Sequence, residues 1–98
     1  MANVGDFSVT LTTTPALVLP VPSPLQTLRY HRLFNASSTT DIWCSWTNAS
    51  PSVGGLGCYR IGPLSAEEFG NTNTGFVPYV PVYAVAASAT ANLTAVRY

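Results

Sequence analysis

Apolar and polar residues alternate with a period of two along much of this chain. In Phe7-Ser-Val-Thr-Leu-Thr-Thr13, Phe7, Val9 and Leu11 fall on one side and hydroxyl residues on the other, which predicts a half-buried strand. Residues 16–19 are a short apolar strand, or the first strand continued past a kink at Pro15. Pro20, Pro22 and Pro24 then remove the N–H donors that a ladder needs. Their spacing suits an extended, partly polyproline segment lying on a surface or crossing between sheets. A strand over 28–35 follows with its facing open: Tyr30, Arg32 and Phe34 share one side, His31, Leu33 and Asn35 the other.

Asn35-Ala-Ser-Ser-Thr-Thr40 is a turn of residues that bond their own backbone. Across 41–47, Ile42, Cys44 and Trp46 oppose Trp43, Ser45 and Thr47. Residues 48–57, with one proline and three glycines, form a loop, and 58–61 a short strand ending at Gly62-Pro63. Residues 65–69 fit either one helical turn capped by Ser65, with Glu68 three residues on, or an extended segment. After a loop at 70–75, residues 79–86 and 90–98 predict a closing hairpin around 87–89. The sum is an all-β chain of about seven to eight short antiparallel strands, a single small β-sandwich or barrel over residues 1–98. Residues 1–6 and 20–27 are its candidate extended arms.

Composition changes the picture. Only 8 % of the residues are charged, none is lysine, and the net charge is zero, whereas an ordinary soluble domain is about a quarter charged. Surface charge keeps a lone protein soluble and blunts its sheet edges. A β-rich chain without it reads as one whose surface is covered by other protein. Four arginines (29, 32, 60 and 97) against Asp6, Asp41, Glu67 and Glu68 leave no basic face for nucleic acid or for an anionic membrane. The start of the chain lacks the cationic and apolar regions of a secretory leader. No apolar run reaches the ~18 residues of a membrane span. The expectation is a soluble protein made in a cytoplasm.

Candidate chemistry is sparse. Cys44 and Cys58 could bridge a hairpin or remain two small buried thiols, and a reducing cytoplasm favours the second. The Asn-x-Ser/Thr patterns at Asn35, Asn48 and Asn92 arise readily in so Asn-, Ser- and Thr-rich a chain. His31 is the only histidine, and its sequence neighbours Tyr30 and Arg32 are not the partners a catalytic imidazole needs. With Cys44 and Cys58 it would supply at most three metal ligands, at no recognised spacing. Glu67 and Glu68 diverge on any regular backbone, and the glycines of Val53-Gly-Gly-Leu-Gly57 lack the lysine of a phosphate loop. No enzyme, cofactor or metal is expected. The aromatic residues say more. Trp43 and Trp46 are three apart on a strand and face opposite ways, and the Ile42-Cys44-Trp46 pattern points Trp43 outward. Such a tryptophan is an interface anchor, a sugar-stacking platform, or a residue covered by its own loop.

From Arg29 to Trp46 the chain resembles small structural proteins encoded among the head genes of tailed bacteriophages. The resemblance rests on the Thr-rich opening Phe7-Ser-Val-Thr-Leu-Thr-Thr-Thr-Pro-Ala16 and on Arg29-Tyr-His-Arg-Leu-Phe-Asn-Ala-Ser37. It extends to Asp41-Ile-Trp-Cys-Ser-Trp46 and Val82-Tyr-Ala-Val-Ala-Ala-Ser-Ala-Thr-Ala-Asn-Leu-Thr94. It implies a β-sandwich on the capsid surface of a virion: a decoration, or cement, protein that binds and stabilises the shell of major capsid protein. A dimer or trimer on a capsid symmetry axis would gain avidity without new chemistry. Trp43, Tyr30, Phe34, Pro20, Pro22, Pro24 and Tyr79 are the partner-interface candidates. The alternatives are another virion part, such as a head–tail connector or fibre-base module, or a carbohydrate-binding module for host glycans that stacks sugars on Trp43 or Tyr79.

Overall fold

The computed structural model describes residues 6–21, 28–70 and 79–98. They form eight strands: β1 (Val9–Leu11), β2 (Ala16–Leu19), β3 (His31–Asn35), β4 (Ile42–Ser45), β5 (Tyr59–Ile61), β6 (Ala66–Phe69), β7 (Val82–Ala86) and β8 (Ala91–Arg97). Two four-stranded antiparallel sheets result, ordered β1-β8-β3-β6 and β2-β7-β4-β5. The antiparallel pairs β1–β8, β2–β7, β3–β6 and β4–β5 are nested one inside the next. They are rolled so that β8 also meets β3 and β7 meets β4. That wrapping is an eight-stranded jelly roll. The segment 65–69, open between a helical turn and an extended chain, is strand β6 on the edge of the first sheet.

The inward faces make one core of Leu11, Leu33, Leu93, Ala91 and Ala95 from the first sheet and Leu19, Ile42, Cys44, Val82, Ala84 and Ala86 from the second. Alanines on the central strands let the bulkier leucines and Ile42 interdigitate at close sheet spacing. The facing of β3 is settled: His31, Leu33 and Asn35 are buried, while Arg32 and Phe34 look outward. In β2 a register shift between Leu17 and Leu19 rephases the strand, so consecutive Val18 and Leu19 are both buried.

The hairpin expected at the C-terminal end is not formed. β7 lies in the second sheet and β8 in the first, so residues 87–90 arch between layers. Both are central strands with neighbours on each side, leaving no edge on which they could pair with each other. The arch is held by other loops: the Ala86 amide donates to the Thr12 carbonyl and the Ala87 amide to that of Asp41. The same alternation between layers governs the chain from β1 to β4 and from β5 to β8.

This wrapping gives the sandwich two ends. One gathers the short connections 12–15, 36–41, 62–65 and 87–90. The other receives β2–β3, β4–β5 and β6–β7, together with Tyr98 and the start of β1. On the first end, Ser65 donates to the Gly62 carbonyl in a turn that places Leu64 at φ 56°, and Ala89 in the arch has φ 47°. Both are left-handed positions that cost an L-residue about 1–2 kcal/mol. Leu64 is 60 % exposed and lies outside the core cluster. Leu64→Gly is expected to stabilise the fold by about 0.5 kcal/mol, because relieved strain exceeds the entropy that glycine adds to the unfolded chain. Urea unfolding of Leu64→Gly beside Leu64→Ala tests this; only the glycine variant should gain.

Candidate functional site

The second end holds a polar and aromatic assembly that joins the two sheets. Across the inner face of the first sheet, Arg97, His31 and Phe69 stand in one row, with Ala95, Leu33 and Glu67 in the next. On the second sheet, Tyr59 of β5 lies opposite Cys44 of β4, and Trp46 follows just beyond the strand. Glu67 Oε1 sits 3.2 Å from His31 Nε2 and 2.9 Å from the Tyr59 hydroxyl, which donates to it. A carboxylate only accepts, so Nε2 carries a proton, and the buried Nδ1 has no partner among the described residues. The Trp46 indole N–H donates to the Tyr59 hydroxyl at 2.9 Å. Burial first, then the nearby Cys44 and Glu67, pushes the Tyr59 phenol far above its ordinary range, so it remains a neutral donor.

Three rings pack here, two of them, Trp46 and Tyr59, held by these bonds. Trp46 meets Tyr59 edge-on (centroids 6.1 Å apart, planes at 82°) and Phe69 in a similar manner (5.5 Å, 61°). With Thr47, Gly57 and Glu67 they line an open cavity of about 360 Å³, whose walls are mostly apolar. Its rim belongs to the β4–β5 loop, where the amides of Gly55 and Cys58 bond the carbonyls of Ser52 and Gly55 in two successive turns. Positive φ at Gly54 (68°) and Gly57 (73°) makes both turns type II and leaves Val53 and Leu56 as their exposed corners.

Arg97 closes the other side of this end. It is 3 % exposed and donates from Nη1 to the Pro20 carbonyl (3.0 Å) and from Nη2 to that of Val80 (2.8 Å). Burial lowers its pKa. The guanidinium therefore ties the β2–β3 crossover to the β6–β7 crossover. A second tie runs from the Leu28 amide to the Tyr79 hydroxyl, 2.7 Å apart.

The interface candidates do not share one surface. Tyr30 and Phe34 lie on the outer side of the first sheet; Tyr30 stacks on Tyr98 and donates to Glu68, and Arg32 covers the Phe34 ring. Trp43 lies on the outer side of the second sheet between Val85 and Arg60, partly buried, its indole N–H without a partner among the described residues. Tyr79 and Pro20 belong to the tied end, while Pro22 and Pro24 fall outside the described residues. Of the arms, Asp6 bridges to Val96 and Pro20 and Val21 are exposed; residues 1–5 and 22–27 fall outside. Cys44 and Cys58 are free thiols: Cys44 is buried in the core, which pushes its pKa far up, and Cys58 contacts the Leu56 carbonyl within the loop.

Sequence parity placed Trp46 on the core side and left the facing of His31 open, and nothing local brought Glu67, Tyr59 and Phe69 to them; that follows from strands six and five lying opposite each other. Among the described residues no three His, Cys, Asp or Glu side chains gather as metal ligands, and no helix is long and apolar enough to cross a membrane. Comparison with protein-family models, with curated proteins and with solved structures finds no match for this chain.

Proposed function

We propose that this chain is a structural virion protein of the decoration type, a non-enzymatic module that binds an assembled shell of major capsid protein through the outer face of its second sheet. The observation that carries this reading is that face. Leu17, Tyr83, Val85 and Trp43 run side by side across β2, β7 and β4, with Leu17 exposed, Tyr83 and Trp43 half-buried and Val85 buried between them. The charge beside them, Arg60, is held by Asp41 at 3.0 Å. An apolar, aromatic centre with charge confined to its rim is the anatomy of a protein–protein interface. The remaining charges belong elsewhere: Arg97 and His31 are buried, Glu67 bonds His31, Arg32 lies opposite Glu68, Asp6 bridges to Val96 on the first sheet, and Arg29 is held through its amide beside Tyr98. Jelly rolls recur in viral capsid and lectin domains, which is compatible with the reading without assigning it.

A protein that binds the assembled lattice and not free subunits stabilises the lattice by mass action. Purified chain added to empty capsids is therefore expected to co-sediment with them at hundreds of copies per particle and to raise their disruption temperature. A dozen copies or fewer would point to a connector or fibre-base module. No binding, with unchanged heat resistance, would remove the proposal.

A further inference from the structure

We infer that the free edge of β1 is the pairing edge for a second copy of this chain, the two β1 strands running antiparallel with Thr10 opposite its own counterpart. β1 lies at the edge of the first sheet, and its contact with β8 runs past the strand itself. Asp6 bridges to Val96, and the Phe7 amide donates to the Ala95 carbonyl. Backbone groups in an antiparallel ladder alternate in direction. Phe7, Val9 and Leu11 therefore turn theirs toward β8, and Ser8, Thr10 and Thr12, all exposed, turn theirs outward. Two of the outward groups are already used: the Ser8 amide donates to Asp6 Oδ1, and the Thr12 carbonyl accepts from the Ala86 amide. The Ser8 carbonyl, the amide and carbonyl of Thr10, and the Thr12 amide bond no described residue.

That set is self-complementary. With Thr10 facing its counterpart, their amides and carbonyls exchange bonds, each Thr12 amide reaches the other copy's Ser8 carbonyl, and no free group is left over. Val9, 37 % exposed, lies across from the second copy's Leu11, and the central threonines form a hydroxyl pair that suits neighbouring strands. The copies carry no net charge to hold them apart. The other three edges are guarded in ways this one is not. β2 lies between Pro15 and Pro20, and its register shifts within the strand. β5 spans three residues, and the chain turns on both sides of it. β6 carries Glu67 and Glu68, like charges that a second copy would duplicate. From Phe7 to Thr14 there is no charge and no proline.

A twofold axis relating two antiparallel strands of one sheet stands perpendicular to that sheet. Both second sheets then lie on the same side of the fused first sheet, with their outer faces turned the same way. A shell could be gripped by two docking faces at once, which raises avidity. That consequence rests on the proposed function; the pairing does not.

Sedimentation equilibrium without capsids tests the pairing. Wild type at about 100 μM is expected to show the mass of two chains, since even a small interface associates at that concentration. Thr10→Pro removes the central donor at an edge position that tolerates proline, and should weaken association about ten-fold or more with an unchanged circular dichroism spectrum. Thr10→Lys and Thr10→Glu should each stay single alone and pair when mixed. Both keep the amide, so they carry the test if the proline variant does not fold. A single-chain mass for wild type, association that survives Thr10→Pro, or a mixture of the charged variants no heavier than its components would overturn the pairing. If wild type is single in solution and Thr10→Pro abolishes capsid binding, the edge belongs to a shell subunit, and the second copy is equally overturned. Dimers that ignore capsids would leave the pairing standing and remove only the virion reading.

Discussion

Exchange of Asn35 for aspartate is expected to cost about 4 kcal/mol or more at neutral pH and to make the loss shrink as the pH falls. Asn35 is fully buried. Its Nδ2 donates to the carbonyls of Thr40 (2.7 Å) and Ile61 (3.0 Å), and its Oδ1 accepts the Ser37 amide at 3.0 Å. One side chain thus pins the β3–β4 turn and reaches across to the second sheet. A carboxylate at this place would point a charged oxygen at two carbonyl oxygens in a dry interior. Both burial and repulsion would raise its folded pKa above the ~3.9 of an unfolded aspartate. A group with a raised folded pKa contributes its stability below the unfolded value and loses it as pH rises through the folded value. The variant should therefore approach the wild type at acid pH, where a protonated carboxyl can still donate once. Asn35→Ala should cost about 3 kcal/mol with no such trend. Urea unfolding of the three proteins between pH 4 and 7.5, compared as differences from wild type, decides it. A flat difference for Asn35→Asp would mean the site is wetter than its burial indicates. The same inward bonds occupy the amide nitrogen, so the Asn-x-Ser pattern beginning at Asn35 is closed to modification in the folded chain.

Alternation was sufficient to mark most of the strands and the faces of those with one clear apolar side, such as Ile42 and Cys44 on β4. It was not sufficient for β3, where both sides carry large residues. The side that is buried includes a histidine and an asparagine because Glu67 bonds His31 Nε2 and the carbonyls of Thr40 and Ile61 take the Asn35 amide, and of these partners Glu67 and Ile61 lie far from the pattern itself. The false hairpin at 87–89 has a related origin. A short Ala-Ser-Ala link between two apolar strands reads locally as a turn, but whether it joins neighbours or layers depends on which strands already flank β7 and β8. Trp46 was placed on the core side by parity, yet the cavity it builds with Tyr59 and Phe69 exists only because edge strands β5 and β6 face each other across the sandwich. Pairing between layers leaves no periodic trace in either strand, so such a site is visible only in three dimensions.

On the proposed docking face, Leu17→Glu together with Tyr83→Glu is expected to reduce capsid affinity by about 100-fold or more. Leu17 is 52 % exposed on the edge strand β2, directly opposite Tyr83. If a capsid subunit covers this face, two carboxylates would be desolvated beside Val85 and Trp43 with no partner but Arg60, which Asp41 already engages. An uncompensated charge in a buried interface costs several kcal/mol, and each 1.4 kcal/mol is a factor of ten in affinity. In the free protein both side chains remain in contact with water, so folding should suffer by no more than about 1 kcal/mol. The paired control is Thr94→Glu at the centre of the opposite face, on β8 across from Phe34. It adds a charge to the outer side of the first sheet and should leave capsid binding within about three-fold of wild type. Co-sedimentation with empty capsids at fixed salt separates the outcomes. Loss with Thr94→Glu and retention with the Leu17/Tyr83 pair would move the interface to the first sheet. Retention in both would mean that neither sheet face is covered, and that contact is made by the end of the sandwich where the loops of Leu56 and Tyr79 emerge.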